Sequence, residues 1–174
     1  MTEERIHEIC SHFDIDGGAV DFTTLKDGHI NNTYAVSWKH ADGTEDEFVL
    51  QQINTVVFKN VTALTNNILG VCEHIKKKIE AAGEDTKREV LTLIPCRDGG
   101  HIYDGCWRMY NFVKNATAHQ SADAPGLLYN AAKAARNVPA SARGLPRRNA
   151  LRDYSELPQH SQSLCRLYAG CKRR

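Results

Sequence analysis

No stretch of this sequence comes near the ~18 consecutive apolar residues that a membrane-spanning helix needs. Its first residues, MTEERIHEICSHFDIDGG, are acidic and interrupted by charges, so a secretory signal is not expected. Cysteines stand at positions 10, 72, 96, 106, 165 and 171, with no Cys-x-x-Cys pair and no tight cluster with histidine. That spacing argues against a zinc site and predicts reduced thiols in a cytoplasmic protein. The Asn-x-Thr triplets at Asn31, Asn60 and Asn115 then carry no glycosylation meaning. The DIDGG run at 14–18 opens like a calcium loop but lacks the later oxygen ligands and the closing Glu.

What is present suffices for one ordinary domain: 174 residues, 41% apolar and 25% charged. The net charge of +1 conceals a division. Residues 1–135 hold thirteen Lys and Arg against nineteen Asp and Glu, a net of −6. Residues 136–174 hold eight Arg and one Lys against Asp153 and Glu156, a net of +7, and show neither helical nor strand periodicity.

Within the first part, Ile6, Ile9, Cys10 and Phe13 recur at helical spacing and predict a short amphipathic helix ending before Gly17. Strands are expected near Val20–Leu25, Thr33–Trp38 and Glu47–Ile53, the last two joined by a hairpin at Asp42-Gly43. A long helix follows. Its stripe is Val61, Leu64, Ile68, Val71, Ile75 and Ile79, with Asn60 as N-cap and Lys76–Lys78 expected at the C-terminal end. Two more strands are predicted at 89–95 and 106–113, joined through Asp98-Gly99-Gly100.

Between the first two strands lies GHINNT, residues 28–33. Read locally, it is either a hairpin that tolerates unusual backbone angles or a turn whose N–H groups and amides face an anion. In the third strand, Gln51 and Gln52 read equally well as ordinary strand amides.

Three stretches, GHINNTYAV at 28–36, FVLQQINTVVFKNVTALTNNI at 48–68 and CWRMYNFVKNAT at 106–117, resemble the aminoglycoside phosphotransferase and choline kinase-like superfamily. The likeness covers roughly residues 5–135 and is strongest to the branch containing N-acetylhexosamine 1-kinase and proteins labelled mucin desulfatase. It implies an α+β fold: a protein-kinase-like small lobe over 1–113, with a five-stranded antiparallel sheet and one main helix, then the start of a helical large lobe over 114–135. It also implies an ATP- and Mg2+-dependent kinase of a small hydroxylated substrate, a sugar or amino sugar. On that likeness the nucleotide-binding residues are Gly28, His29, Ile30, Asn31, Asn32 and Thr33 in the turn, Gln51 on the third strand, and the main chain of Asn111, Phe112 and Val113 at a hinge. Gln51 stands where a kinase strand carries lysine, which leaves the neutralisation of the phosphates without an assigned cation. Glu73 falls off the helix stripe and is expected in solvent, while Trp107 and Phe112 are expected in the core.

The large-lobe His-x-Asp loop, with its following Asn and Asp, is expected to be missing, so no catalytic or metal-binding residue is assigned. Three readings compete for residues 136–174: a basic arm for nucleic acid, a solvated disordered tail, or translation out of frame. The last is favoured. Back-translation of Arg136 onward can be regrouped to read FGTFQRL and later IPNFHNTVSRF, a helix and a segment that continue the same resemblance. On this reading the chain is an inactive N-terminal fragment that at most binds nucleotide, with no membrane and no nucleic-acid partner. The alternative is a non-catalytic nucleotide-binding or interaction module.

Overall fold

The computed structural model describes residues 1–26, 28, 30–83, 86, 90–114 and 126–132. Over these the fold is α+β. Helix α1 (Glu3–Ser11) precedes strands β1 (Gly18–Leu25), β2 (Asn32–Lys39) and β3 (Glu45–Gln52). Helix α2 (Val61–Ala82) follows, then β4 (Leu93–Ile94) and β5 (Trp107–Asn111). A further helix, α3, spans 126–132. The expectations for residues 133–174, tail and reading frame included, lie outside the described residues.

The five strands form one antiparallel sheet in the order β1-β2-β3-β5-β4. Alternation along the strands gives this sheet two unlike faces. Tyr34, Val36, Trp38, Leu50, Trp107 and Met109 point to one face, where Ile6, Ile9, Cys10 and Phe13 close over them to make the core. Helix α1 forms because those apolar residues fall at three- and four-residue spacing, and their complete burial holds it on the sheet. The other face carries Thr33 on β2, Gln51 on β3 and Arg108 on β5, opposite one another in the register.

The end of the sheet that carries the β2–β3 hairpin is tied by polar groups. The Trp38 indole Nε1–H donates to the Asp16 carbonyl at 2.7 Å. The Asp16 carboxylate meets His40 Nδ1 at 2.9 Å and accepts from Ala41 N–H at 3.2 Å. On its far side, His40 Nε2 lies 3.4 Å from Asp46. Asp42 closes the hairpin by accepting from both the backbone N–H and the hydroxyl of Thr44. A side chain at Gly17 would collide with the Lys39 carbonyl, so the entry to β1 requires glycine. Asp16 therefore serves the hairpin, which gives the DIDGG run a structural use.

Two elements differ from their sequence expectation. Strand β4 is only Leu93–Ile94, against an expected span of 89–95. It is an edge strand, Pro95 ends it by offering no N–H, and the Asn111 side chain takes the Thr92 N–H at 2.7 Å in place of a further rung. Helix α2 runs past Ile79 to Ala82, where Gly83 caps it in the left-handed conformation at φ 72°. Its last turn holds no basic residue, so Lys76–Lys78 sit further in and Lys76 approaches Glu80 instead, at 3.9 Å. The expected N-cap is present: Asn60 Oδ1 accepts from Ala63 N–H at 2.9 Å.

Candidate functional site

The turn between β1 and β2 is attached to the rest of the sheet by the amides of its last residues. Asn31 Oδ1 accepts from Asn54 N–H at 2.9 Å, which ties the turn to the segment leaving β3. Asn32 Nδ2 donates to Gln52 Oε1 at 3.0 Å. Thr33 Oγ1 accepts from Gln51 Nε2 at 3.1 Å. Because neighbouring strand residues point to opposite faces, Asn32 with Gln52 lies on the α1 side and Thr33 with Gln51 on the other. The two pairs cannot meet one phosphate group through their side chains. Donors remain after these bonds: the second amide hydrogen of Asn32 and the hydroxyl hydrogen of Thr33.

A Cβ at Gly28 would meet nothing within 4 Å. No neighbouring atom demands glycine at this position. Open space lies beside its backbone, as a closely approaching ligand would require. Ile30 is 51% exposed at the tip of the turn. His29 lies outside the described residues.

Gln51 is the centre of a row that crosses three strands. Its Oε1 accepts from Arg108 Nε at 3.1 Å and from Arg108 Nη2 at 2.6 Å, while its Nε2 donates to Thr33. The amide thus bridges a guanidinium to a hydroxyl. Burial lowers the pKa of Arg108, though not enough to remove its charge. Burial raises the Tyr110 phenol, two residues on, and the Arg108 charge partly opposes that rise. A positive charge therefore stands beside Gln51, on the adjacent strand, where sequence reading assigned none. In WRMY the arginine alternates with Trp107 and Met109, which face the core, so the local sequence marks it only as a residue of the opposite face.

At the proposed hinge, two of the three N–H groups are already engaged. Asn111 N–H donates to Thr92 O at 3.1 Å and Phe112 N–H to Glu47 O at 3.2 Å. Val113 N–H has no backbone acceptor among the described residues. Trp107 is buried, as expected, and Phe112 is half-buried. Gln51 pairs with Arg108 and Phe48 with Asn111, so the row and the hinge lie along one strand direction. Three residues separate them, roughly 10 Å.

His-x-Asp triplets do occur in the chain, but outside the region where the large-lobe loop is expected. Two such triplets occur, His12-Phe13-Asp14 and His40-Ala41-Asp42, both before residue 113. His12 stacks on Tyr103 with ring centroids 3.9 Å apart, and Asp14 N–H donates to Pro95 O. His40 is held by Asp16, and Asp42 by Thr44. Both triplets are used in holding the fold together. No such triplet follows residue 113, where the resemblance places the catalytic loop.

Glu73 is exposed, and among the described residues no three His, Cys, Asp or Glu side chains are placed to hold a metal ion. Cys10, Cys72, Cys96 and Cys106 are free thiols. Burial pushes Cys10 up to about 12 and, with the Asp98 charge adding to it, Cys96 to about 11, so neither is a ready nucleophile near neutral pH. No described helix is long and apolar enough to cross a membrane. No protein-family model matches the chain.

Proposed function

We propose that this chain is the nucleotide-facing N-terminal part of an ATP-dependent small-molecule kinase, related to those that phosphorylate a sugar or amino-sugar hydroxyl. In this form it binds nucleotide without transferring phosphate. The observation that carries the reading is the alignment along one strand direction of the β1–β2 turn, the Gln51 row and the end of β5. A nucleotide laid along that line would set its phosphates near the turn and the row, and its base near Val113 N–H. The residues fit such a ligand: open space beside Gly28, a partly buried cation at Arg108, and a backbone donor beyond Asn111.

Mg2+ would act on the bound phosphates, and its protein ligands would come from a large lobe that these residues do not supply. Helix α2 supports the idea of a missing partner lobe. Only Val61, Ala63 and Thr65 on it are buried, and Val71, in the middle of its apolar stripe, is 37% exposed.

The test has two arms on the 174-residue chain. ADP binding is expected by calorimetry, and transfer of labelled phosphate from ATP to N-acetylhexosamines, simple sugars, choline or aminoglycosides is expected to stay at background. Absence of nucleotide binding would contradict the lobe assignment. Turnover above that of a Gly28→Pro, Gln51→Ala double variant would contradict the assignment of inactivity.

A further inference from the structure

A guanidinium removed from water is costly unless it is matched by hydrogen bonds and an opposing charge. Arg108 has only part of that compensation. Nε and Nη2 both donate to one neutral oxygen, Gln51 Oε1. None of the ion pairs among the described residues includes Arg108. Nη1 is buried and has no hydrogen-bond partner among them. A buried, unpartnered, positively charged donor is a rare exception in a folded protein.

We propose that Arg108 is the phosphate-binding cation of this lobe, held by Gln51 so that its remaining N–H groups meet the phosphates of a bound nucleotide. The inference rests on the nucleotide reading above and adds the residue that supplies the charge. Gln51 is then a positioning residue. Its amide cannot neutralise phosphate, but its oxygen fixes the plane of the guanidinium through two bonds, and its nitrogen is fixed in turn by Thr33. Thr33 is the first residue after the turn whose side chain faces this side, so the row lies at the end of the sheet where the turn enters β2. Arginine suits the task because its planar fork can hold Gln51 with one edge and offer the other to paired oxygens of a phosphate. Nη1 has already lost its water, and an anion would meet it in a medium where charge-assisted bonds are strong.

A lysine on β3 and an arginine on β5 would reach the same space, since Gln51 and Arg108 are direct cross-strand partners. Moving the charge one strand sideways preserves its function and explains why an amide is tolerated at Gln51.

The experiment measures adenosine, ADP and inorganic tripolyphosphate binding to the full chain without added magnesium, with Arg108→Gln and Gln51→Glu beside the wild type. Gln51→Glu gives the guanidinium a carboxylate partner in place of an amide, so it removes the free charge while keeping the row intact. ADP is expected to bind the wild type about tenfold or more tightly than adenosine. Both variants are expected to lose that advantage, with adenosine affinity changed less than about twofold. A folded variant that keeps the ADP advantage overturns the proposal, as does an advantage that was absent from the wild type. If neither adenosine nor ADP binds, the nucleotide reading fails and tripolyphosphate decides the charge site. Binding that both variants lose upholds an anion site at Arg108, and no binding overturns it. Should Arg108→Gln not fold, the Arg108 Nε–H resonance of the wild type gives the answer: it shifts on addition of tripolyphosphate if the proposal holds, and its constancy rejects it.

Discussion

Trp38 is 2% exposed, and its single polar hydrogen goes to the Asp16 carbonyl. Trp38→Ala should therefore cost about 3–5 kcal/mol, the range for emptying a large aromatic site, measured as a shift in urea midpoint at constant slope. Close by, the His40 and Asp16 pair makes stability depend on pH. The hydrogen bond to Asp16, then the nearby carboxylate charges, raise the His40 pKa, and its bond to His40, then the Ala41 N–H, lower that of Asp16. A raised histidine contributes fully below its ordinary value of about 6.5 and loses that contribution as pH climbs through the folded value. A depressed carboxylate contributes above about 3.9 and loses it as pH falls through the folded value. The melting temperature should therefore decline as pH rises from 6 to 9, and His40→Gln should flatten that decline. An unchanged slope in the variant would place the dependence elsewhere.

Helices and strands show how far the sequence could be read and where it stopped. Helix α2 was legible from its apolar stripe and the Asn60 cap, and Asn60→Ala should cost about 1 kcal/mol because Ala63 N–H loses its acceptor. The stripe itself was legible only as a pattern. Periodicity says which residues share a face but not whether anything covers it, and only Val61, Ala63 and Thr65 on α2 are buried. Ile75→Gln and Ile79→Gln should accordingly change the urea midpoint little, in contrast to Trp38→Ala. Strand β4 was over-read because EVLTLIP is rich in strand-forming residues, whereas its length is set by an edge position and by Pro95. For the candidate residues, sequence alone gives no direction for the side chains. Asn31, Asn32 and Thr33 look alike in sequence as small polar residues, yet the pleat sends Asn32 to one face and Thr33 to the other. Arg108 was missed because a cross-strand partner is a fact of register, and no local motif encodes register.

For the whole molecule, the charge division at Arg136 is what motivates the proposal that residues 136–174 are read out of frame, and that proposal is tested on the gene. DNA from the source should continue in the repaired frame for about 200 codons beyond the junction, the size of a second domain, and encode a His-x-Asp loop. A stop codon soon after the junction, or codons that regroup into something unlike FGTFQRL and IPNFHNT, would return the basic-arm reading of 136–174. The lobe assignment does not depend on that outcome, and one titration tests it directly. In a 1H–15N spectrum of the chain with increasing ADP, the amides of Gly28, Thr33 and Val113 and the Gln51 side-chain amide should shift together, at one apparent affinity, while the Trp38 indole on the α1 face stays in place. Shifts confined to the α1 face, or no shift at millimolar ADP, would contradict the assignment of this sheet as a nucleotide-binding lobe.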